Sequence, residues 1–298
     1  MYCFYSDTFV LPLPPGHRFP MQKYAMLREQ IVAAGIVPPE RLRIPEPAGD
    51  VELGRAHTPA YIEQVVRGLL DDQAVRRIGF PWSPQLAERS RRSTGATIAA
   101  CRAALDDGVA VNLAGGTHHA FSEHGEGFCV FNDSVVAARA MQAEGLARRV
   151  LIIDCDVHQG NGTARICAGD ESITTFSIHG ARNYPFRKEQ SDIDIALPDA
   201  TTDEPYVLAL VRGLSQAIEL ARADLAIYLA GADPFHDDRL GRLALSKSGL
   251  RERDRLVYAA CRTSGLPLAI SMAGGYARHI EDTVAIQAAT VSGASELY

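Results

Sequence analysis

Short, unbroken runs of apolar and β-branched residues recur along the chain at Val109 to Leu113, Val150 to Ile153, Ile173 to Ile178, Leu225 to Leu229 and Leu268 to Met272. Runs that are continuous rather than alternating suit strands covered on both faces. Around them lie longer stretches with helical spacing: Ser83 to Asp107, Asn132 to Gly145, Asp203 to Ala223, Ser248 to Ser264 and Arg278 to Ala289. Asn132, Asp203 and Ser248 stand as their N-caps, since short polar side chains there accept the free N–H groups of a first turn. This alternation predicts an α/β protein in three layers, with a mostly parallel sheet between helices. The first eighty residues are proline-rich and give no comparably clear elements.

An open parallel sheet binds its ligands beyond the carboxyl ends of the strands. Polar residues flanked by glycine collect there: Gly115-Gly116-Thr117-His118-His119 after the first run, and Asp154-Cys155-Asp156-Val157-His158 with Gly160-Asn161-Gly162 after the second. Gly231-Ala232-Asp233 and Gly274-Gly275-Tyr276 follow the runs ending at Leu229 and Met272. These loops are expected to meet on one rim. Asp156 and His158 lie two apart on an extended segment and so point to the same side. With Asp233 they make a three-ligand set that leaves a coordination position open, the arrangement of catalytic zinc. A lone aspartate in such a loop also serves as a cap or brace, so the weight rests on the set. Of His118 and His119, one is placed to take a proton from a water activated by the metal and the other to orient it or stabilise charge. Asp154 and Asn161 are available to fix their tautomers. Tyr276 is either an oxyanion donor or a packing residue, and the glycines before it allow close approach of backbone to a ligand.

The composition narrows the class. A chain of 298 residues, 47% hydrophobic, buries a large core, and its length fits one α/β domain spanning residues 1–298. A formal charge of −6 argues against direct nucleic-acid binding. Any histone-like partner would be met through a basic peptide. No basic segment followed by an apolar core opens the chain, and no apolar run reaches membrane-spanning length, so a soluble cytoplasmic protein without a membrane partner is expected. The six cysteines form no C-x-x-C pair and suggest neither a disulfide framework nor a thiolate metal site.

Five ordered motifs resemble the zinc-dependent histone deacetylase family: Thr117-His118-His119-Ala120; Gly127-Phe128-Cys129 with Phe131-Asn132-Asp133; Asp154-x-Asp156-x-His158-x-Gly160-Asn161-Gly162; Ala230-Gly231-Ala232-Asp233 through Arg239-Leu240-Gly241; and Gly274-Gly275-Tyr276. The resemblance runs from about Tyr5 to Ala289. Gln159 to Gly162, Phe128-Cys129 and Asp238 to Gly241, with the short length, are most similar to the class IV branch and its bacterial relatives. It implies an arginase-like αβα fold and an amidohydrolase that removes acetyl or longer acyl groups from lysine, on a peptide or protein. Asp156, His158 and Asp233 are then the zinc ligands, with iron as the alternative metal. His119 is the general base, His118 is backed by Asp154, and Tyr276 polarises the carbonyl. Gly127 and Phe128 line the tunnel, with Leu240 and Gly275 also at the substrate. Asp154, Asp156, His158, Ser177 and Ile178 match a structural potassium site.

Departures from the family pattern accompany these matches. Asn161 stands where class I members carry aspartate, which removes a second charged carboxylate from behind His119. No acidic rim residue is found in Gly79 to Ser83, and Phe235-His236-Asp237 is expected at the pocket mouth. Relatives acting on acetylpolyamines carry an acid where this chain has Leu240, which favours acyl-lysine over small acylated amines. A non-catalytic acyl-ligand binder, and assembly as a homo-oligomer, stay open at this level.

Overall fold

The computed structural model describes residues 1–297. Its strands are β1 (Tyr2–Phe4), β2 (Leu42–Arg43), β3 (Val109–Asn112), β4 (Val150–Asp154), β5 (Ile173–Gly180), β6 (Ile193–Leu197), β7 (Leu225–Leu229) and β8 (Leu268–Ser271). They form one sheet in the order β2-β1-β3-β8-β7-β4-β5-β6, and every neighbouring pair is parallel. The helices are α1 (Lys23–Ala33), α2 (Asp50–Leu53), α3 (Pro59–Arg67), α4 (Asp72–Ile78), α5 (Pro84–Asp107), α6 (Asp133–Ala143), α7 (Asn161–Cys167), α8 (Asp203–Ala221), α9 (Lys247–Thr263) and α10 (Ile280–Leu297).

The continuous apolar runs are explained by the two cores they feed. Alternate residues of β4 point to opposite faces: Leu151 and Ile153 join Leu27 of α1, Leu210 of α8 and Val257 of α9. Val150 and Ile152 join Ile98 of α5 and Val135 of α6. A strand that must be apolar toward both layers has no polar alternation to show. The result is the three-layer α/β arrangement expected from the chain.

The helix starts follow local chemistry. Ser83 Oγ accepts from Leu86 N at 3.1 Å with Pro84 at the first helical position, and Asn132 Oδ1 accepts from Val135 N at 3.2 Å. Two caps differ from expectation. Thr202, not Asp203, precedes α8, because the Asp203 carboxylate is taken by the N–H and hydroxyl of Ser246. Ser246 rather than Ser248 caps α9, its Oγ accepting from Gly249 N at 3.0 Å. α10 also continues past Ala289 to Leu297. Thr290 and Gly293 weaken the helical signal there, yet Thr290 Oγ1 bonds Asp254 and Val291 and Ala294 are buried, so packing overrides propensity.

For the site, the order of strands matters most. β3, β8, β7 and β4 are four consecutive strands in mid-sheet. Their carboxyl ends therefore stand side by side, and the four glycine-flanked loops open onto one place. Among the described residues no helix is long and apolar enough to cross a membrane.

Candidate functional site

The ligand atoms of Asp156, His158 and Asp233 lie within 4.8 Å of one another, and all three residues are buried. Asp156 Oδ1 accepts from His158 N and from His158 Nδ1, both at 2.9 Å, and its Oδ2 accepts from Gly274 N at 2.7 Å. Asp233 Oδ1 accepts from Val157 N at 2.9 Å. Asp233 Oδ2 is buried and makes no well-formed hydrogen bond, with His158 Nδ1 3.3 Å away. Gly274 is required here, since a Cβ would run into the carboxylate oxygens of both Asp233 and Asp156. Burial, with the neighbouring charge of Asp156, pushes Asp233 up to about 7. Burial also works to raise Asp156, but His118 and His158 outweigh it and hold that carboxyl well below the usual range. His158, which burial alone would lower, is raised to about 10 by the two carboxylates. Two buried carboxylates facing one imidazole call for positive charge at their centre. The donor set fits a divalent transition metal.

The two histidines sit beside this trio, their rings 4.1 Å apart. His118 Nδ1 meets Asp154 Oδ2 at 2.6 Å. Burial opposes a charge on His118, but Asp154 and Asp156 prevail and raise it to about 9. His119 goes the other way: burial, then the charges of His118 and His158, hold it well below its ordinary value. His119 Nδ1 lies 2.7 Å from Asn161 Oδ1, and Asn161 Nδ2 donates to Glu126 Oε1 at 2.7 Å. Burial works to raise Glu126, but hydrogen bonds from His124, Asn161 and Tyr184 keep it below the usual carboxyl range. A carboxylate only accepts, so the Asn161 amide nitrogen must face Glu126 and its oxygen must face His119. Neutral His119 therefore carries its proton on Nδ1 and leaves Nε2 bare.

Tyr276 is placed by the turn before it. Its N–H donates to Asp238 Oδ2 at 2.6 Å, and burial, reinforced by Asp233 and Asp156, raises its phenol well above 10 and keeps it a donor. Beneath the turn lies Lys23, fully buried, its Nζ donating to Gly275 O at 3.3 Å and Ala273 O at 3.5 Å and standing 5.2 Å from the Tyr276 ring centroid. Gly275 was expected at the substrate. Instead its carbonyl turns to Lys23, and it is not part of the cavity wall.

That cavity, of about 960 Å³, is lined by His118, His119, Gly127, Phe128, Leu240 and Tyr276, and also by Asp156 and His158. Gly127 (φ 55°) and Phe128 (φ 67°) both adopt left-handed backbone. Their N–H groups donate to Arg77 O at 3.1 Å and Ile78 O at 2.7 Å, strapping the loop to the end of α4. A Cβ on Gly127 would stand 2.8 Å from His119 Cδ2, so the loop comes this close only with glycine. Asp154 and Asn161 lie behind the histidines, off the wall. Ser177 pairs with Asp154 across β4 and β5, its Oγ 2.9 Å from His179 Nδ1, and Ile178 is buried in the core.

Phe235-His236-Asp237 is not at the mouth. Phe235 is buried, His236 N donates to Leu245 O, and Asp237 pairs with Arg278 at 2.9 Å. Lys23 and Glu126 were not anticipated. Glu126 carries the same signal as the other loops, glycine on both sides, but it follows no strand.

The profile of the Histone deacetylase domain matches residues 17–291. The chain is 42% identical to an uncharacterized protein of Picosynechococcus sp. over 94% of this chain and 93% of that one. It is 29% identical to histone deacetylase 2 of Arabidopsis thaliana, covering 93% of this chain and 75% of the relative. A histone deacetylase-like amidohydrolase of Pseudomonas aeruginosa is 28% identical over 89% of this chain and 74% of its own length. The crystal structure of an HDAC homolog complexed with SAHA superposes with a TM-score of 0.86 at 22% identity, covering 99% of this chain and 84% of that one, which fixes the fold. Matched along almost its whole length, with the motif-bearing loops gathered at one end of the sheet, the chain belongs to the histone deacetylase family.

Proposed function

We propose that the protein hydrolyses the amide of acyl-lysine side chains, releasing a carboxylate and a free amine, with a zinc ion held by Asp156, His158 and Asp233. The names of two relatives, a histone deacetylase and an amidohydrolase, support the reaction class. When bound, the metal supplies Lewis-acid polarisation of the carbonyl and lowers the pKa of water.

The chain's own residues supply the rest. The bare Nε2 of His119 takes a proton from the attacking water while Asn161 holds Nδ1. The imidazolium of His118, fixed against Asp154, keeps positive charge beside the developing oxyanion. Tyr276 donates its phenolic hydrogen to that oxygen. Breaking of the C–N bond returns the proton from His119 to the leaving nitrogen, so acid and base steps balance. On the same reading, a structural potassium ion is assigned to Asp154, Asp156, His158, Ser177 and Ile178, and the register of Asp154 with Ser177 supports it.

The observation that carries this reading is the unlike backing of two adjacent histidines next to the buried Asp-His-Asp set: His118 Nδ1 rests on the Asp154 carboxylate at 2.6 Å and His119 Nδ1 on the Asn161 amide oxygen at 2.7 Å. Groups whose environments push them apart are suited to divide acid and base roles. A packing pair has no use for that difference. The acetylpolyamine alternative has less to stand on, because Leu240 lines the wall and Asp156, at the metal set, is the one carboxylate residue among the lining residues. The test compares kcat/KM of zinc-reconstituted protein on an acetyl-lysine peptide, a long-chain acyl-lysine peptide and acetylspermidine. A lysine substrate should lead. Preference for acetylspermidine would transfer the assignment to small amines, and no release of acid from any substrate would end the reading.

A further inference from the structure

The mouth of the cavity carries six arginines, Arg18, Arg76, Arg77, Arg182, Arg239 and Arg242, all exposed. They come from four separate segments: the loop before α1, the last turn of α4, the loop after β5 and the loop after β7. This concentration belongs to a chain with a formal charge of −6, so it is not a sample of the surface at large. Counter-charge is scarce. Arg182 and Arg242 share one carboxylate, Asp199, at 3.6 and 3.1 Å. Arg239 donates to the carbonyl of Arg278. Arg18, Arg76 and Arg77 make no ion pair among the described residues. Nearby acids are engaged elsewhere: Asp237 with Arg278, Asp238 with the N–H groups of Leu240, Gly241 and Tyr276, and Glu126 with Asn161.

A helix C-terminus favours basic side chains, and that accounts for two of the six, Arg76 and Arg77. It does not account for the other four, which sit on loops around the same opening. Guanidinium groups left without carboxylates at the rim of a cleft raise the local concentration of anions and repel cations.

We propose that the rim selects acyl-lysine set in an acidic peptide segment, with carboxylates of flanking Asp and Glu residues received by these arginines. This rests on the deacylase reading of the same cavity. It replaces the expectation that a partner would approach through a basic, histone-like segment: such a segment, like a polyamine, brings positive charge to a positive rim.

The experiment uses acetyl-lysine peptides of equal length whose flanking residues are acidic, neutral or basic, on zinc-loaded full-length protein. Binding is read by fluorescence anisotropy of labelled peptides and turnover by released acetate. In both readouts the acidic peptide should exceed the neutral one by about tenfold or more at low ionic strength, with the basic one lowest. Added salt should compress the series. The acidic-to-neutral ratio should fall toward one in Arg76→Glu/Arg77→Glu and separately in Arg239→Glu, with melting temperature checked for each. Equal binding of the three peptides, or an acidic preference unmoved by both variants, overturns the proposal. Acidic preference in binding without acetate release sinks the deacylase reading and leaves the rim assignment standing; turnover without charge preference does the reverse. Nα-blocked acetyl-lysine is compared as free acid and as amide. Discrimination there, with none among the peptides, assigns the rim to small acylated amino acids and overturns the peptide partner.

Discussion

Glu126 stands one amide away from His119: Asn161 bridges them, its oxygen 2.7 Å from His119 Nδ1 and its nitrogen 2.7 Å from Glu126 Oε1. Asparagine in place of aspartate therefore does not leave the imidazole without a carboxylate behind it. The charge is moved back by one side chain, and the amide it orients fixes the tautomer. Glu126→Gln removes the anion and frees the amide to turn. Turnover should drop on the order of tenfold, the scale seen when an outer partner of a functional imidazole is lost. Removing a negative charge makes the imidazolium of His119 harder to form, so its pKa falls, and the acid limb of the kcat/KM profile moves to lower pH. A limb that stays in place while only thermal stability falls would reduce Glu126 to a packing residue.

Purified protein should hold close to one transition-metal ion per chain, and Asp156→Ala, His158→Ala and Asp233→Ala should each abolish metal retention and activity together. Removal of the ion leaves two buried carboxylates crowded on each other, with Asp233 pushed up to about 7. Stripped protein should therefore melt at a lower temperature than the loaded form, and added zinc should restore it. Metal analysis, melting curves and assays on the same sample decide this. Full activity in stripped protein would remove the metal from the mechanism.

Tyr276→Phe keeps the ring that packs near Phe19 and Phe128, each with its centroid 6.0 Å away, and deletes only the donor. Fold and metal content should persist while turnover drops roughly 10²–10³-fold, as loss of one oxyanion donor does in a hydrolase. The effect should fall on kcat more than on KM. Parent-level turnover would assign Tyr276 to packing alone.

The central strands were legible because β3, β4, β7 and β8 are buried on both sides and so appear as unbroken apolar runs. The loops after them were legible because glycine and metal-ligating residues coincide there. β1 and β2 were not: three and two residues carry no period. Lys23 reaches carbonyls on a turn 250 and 252 positions away, and nothing local marks it. Each rim arginine reads alone as an ordinary surface charge, and only the fold brings six of them to one opening. His236 and Asp237 follow Asp233 in sequence but turn away from the cavity, because Pro234 and His236 pair with Leu245 through their backbones.

Stability against pH depends on His57, a residue outside the cavity. His57 is 3% exposed. Its Nδ1 donates to Phe121 O at 2.9 Å, and its Nε2 accepts from Asn132 N at 2.9 Å, so the neutral ring satisfies both neighbours and the position of the residue that caps α6. Burial lowers its pKa from 6.5 to about 4. Because the folded value lies below the unfolded one, the unfolded chain takes up a proton first as pH falls. The stability that His57 contributes is thus complete above about 6.5 and is lost progressively toward about 4. Over that window the loss is on the order of 3 kcal/mol. His179, also lowered to about 4 mainly by burial, titrates in the same range. Comparison with His57→Gln separates the two. Glutamine leaves the variant less stable at neutral pH but removes this proton uptake, so the stability gap between parent and variant should narrow as pH is lowered from 7 toward 4. Urea denaturation at a series of pH values measures the gap. A constant gap across that range would mean that His57 does not remain neutral in the folded protein.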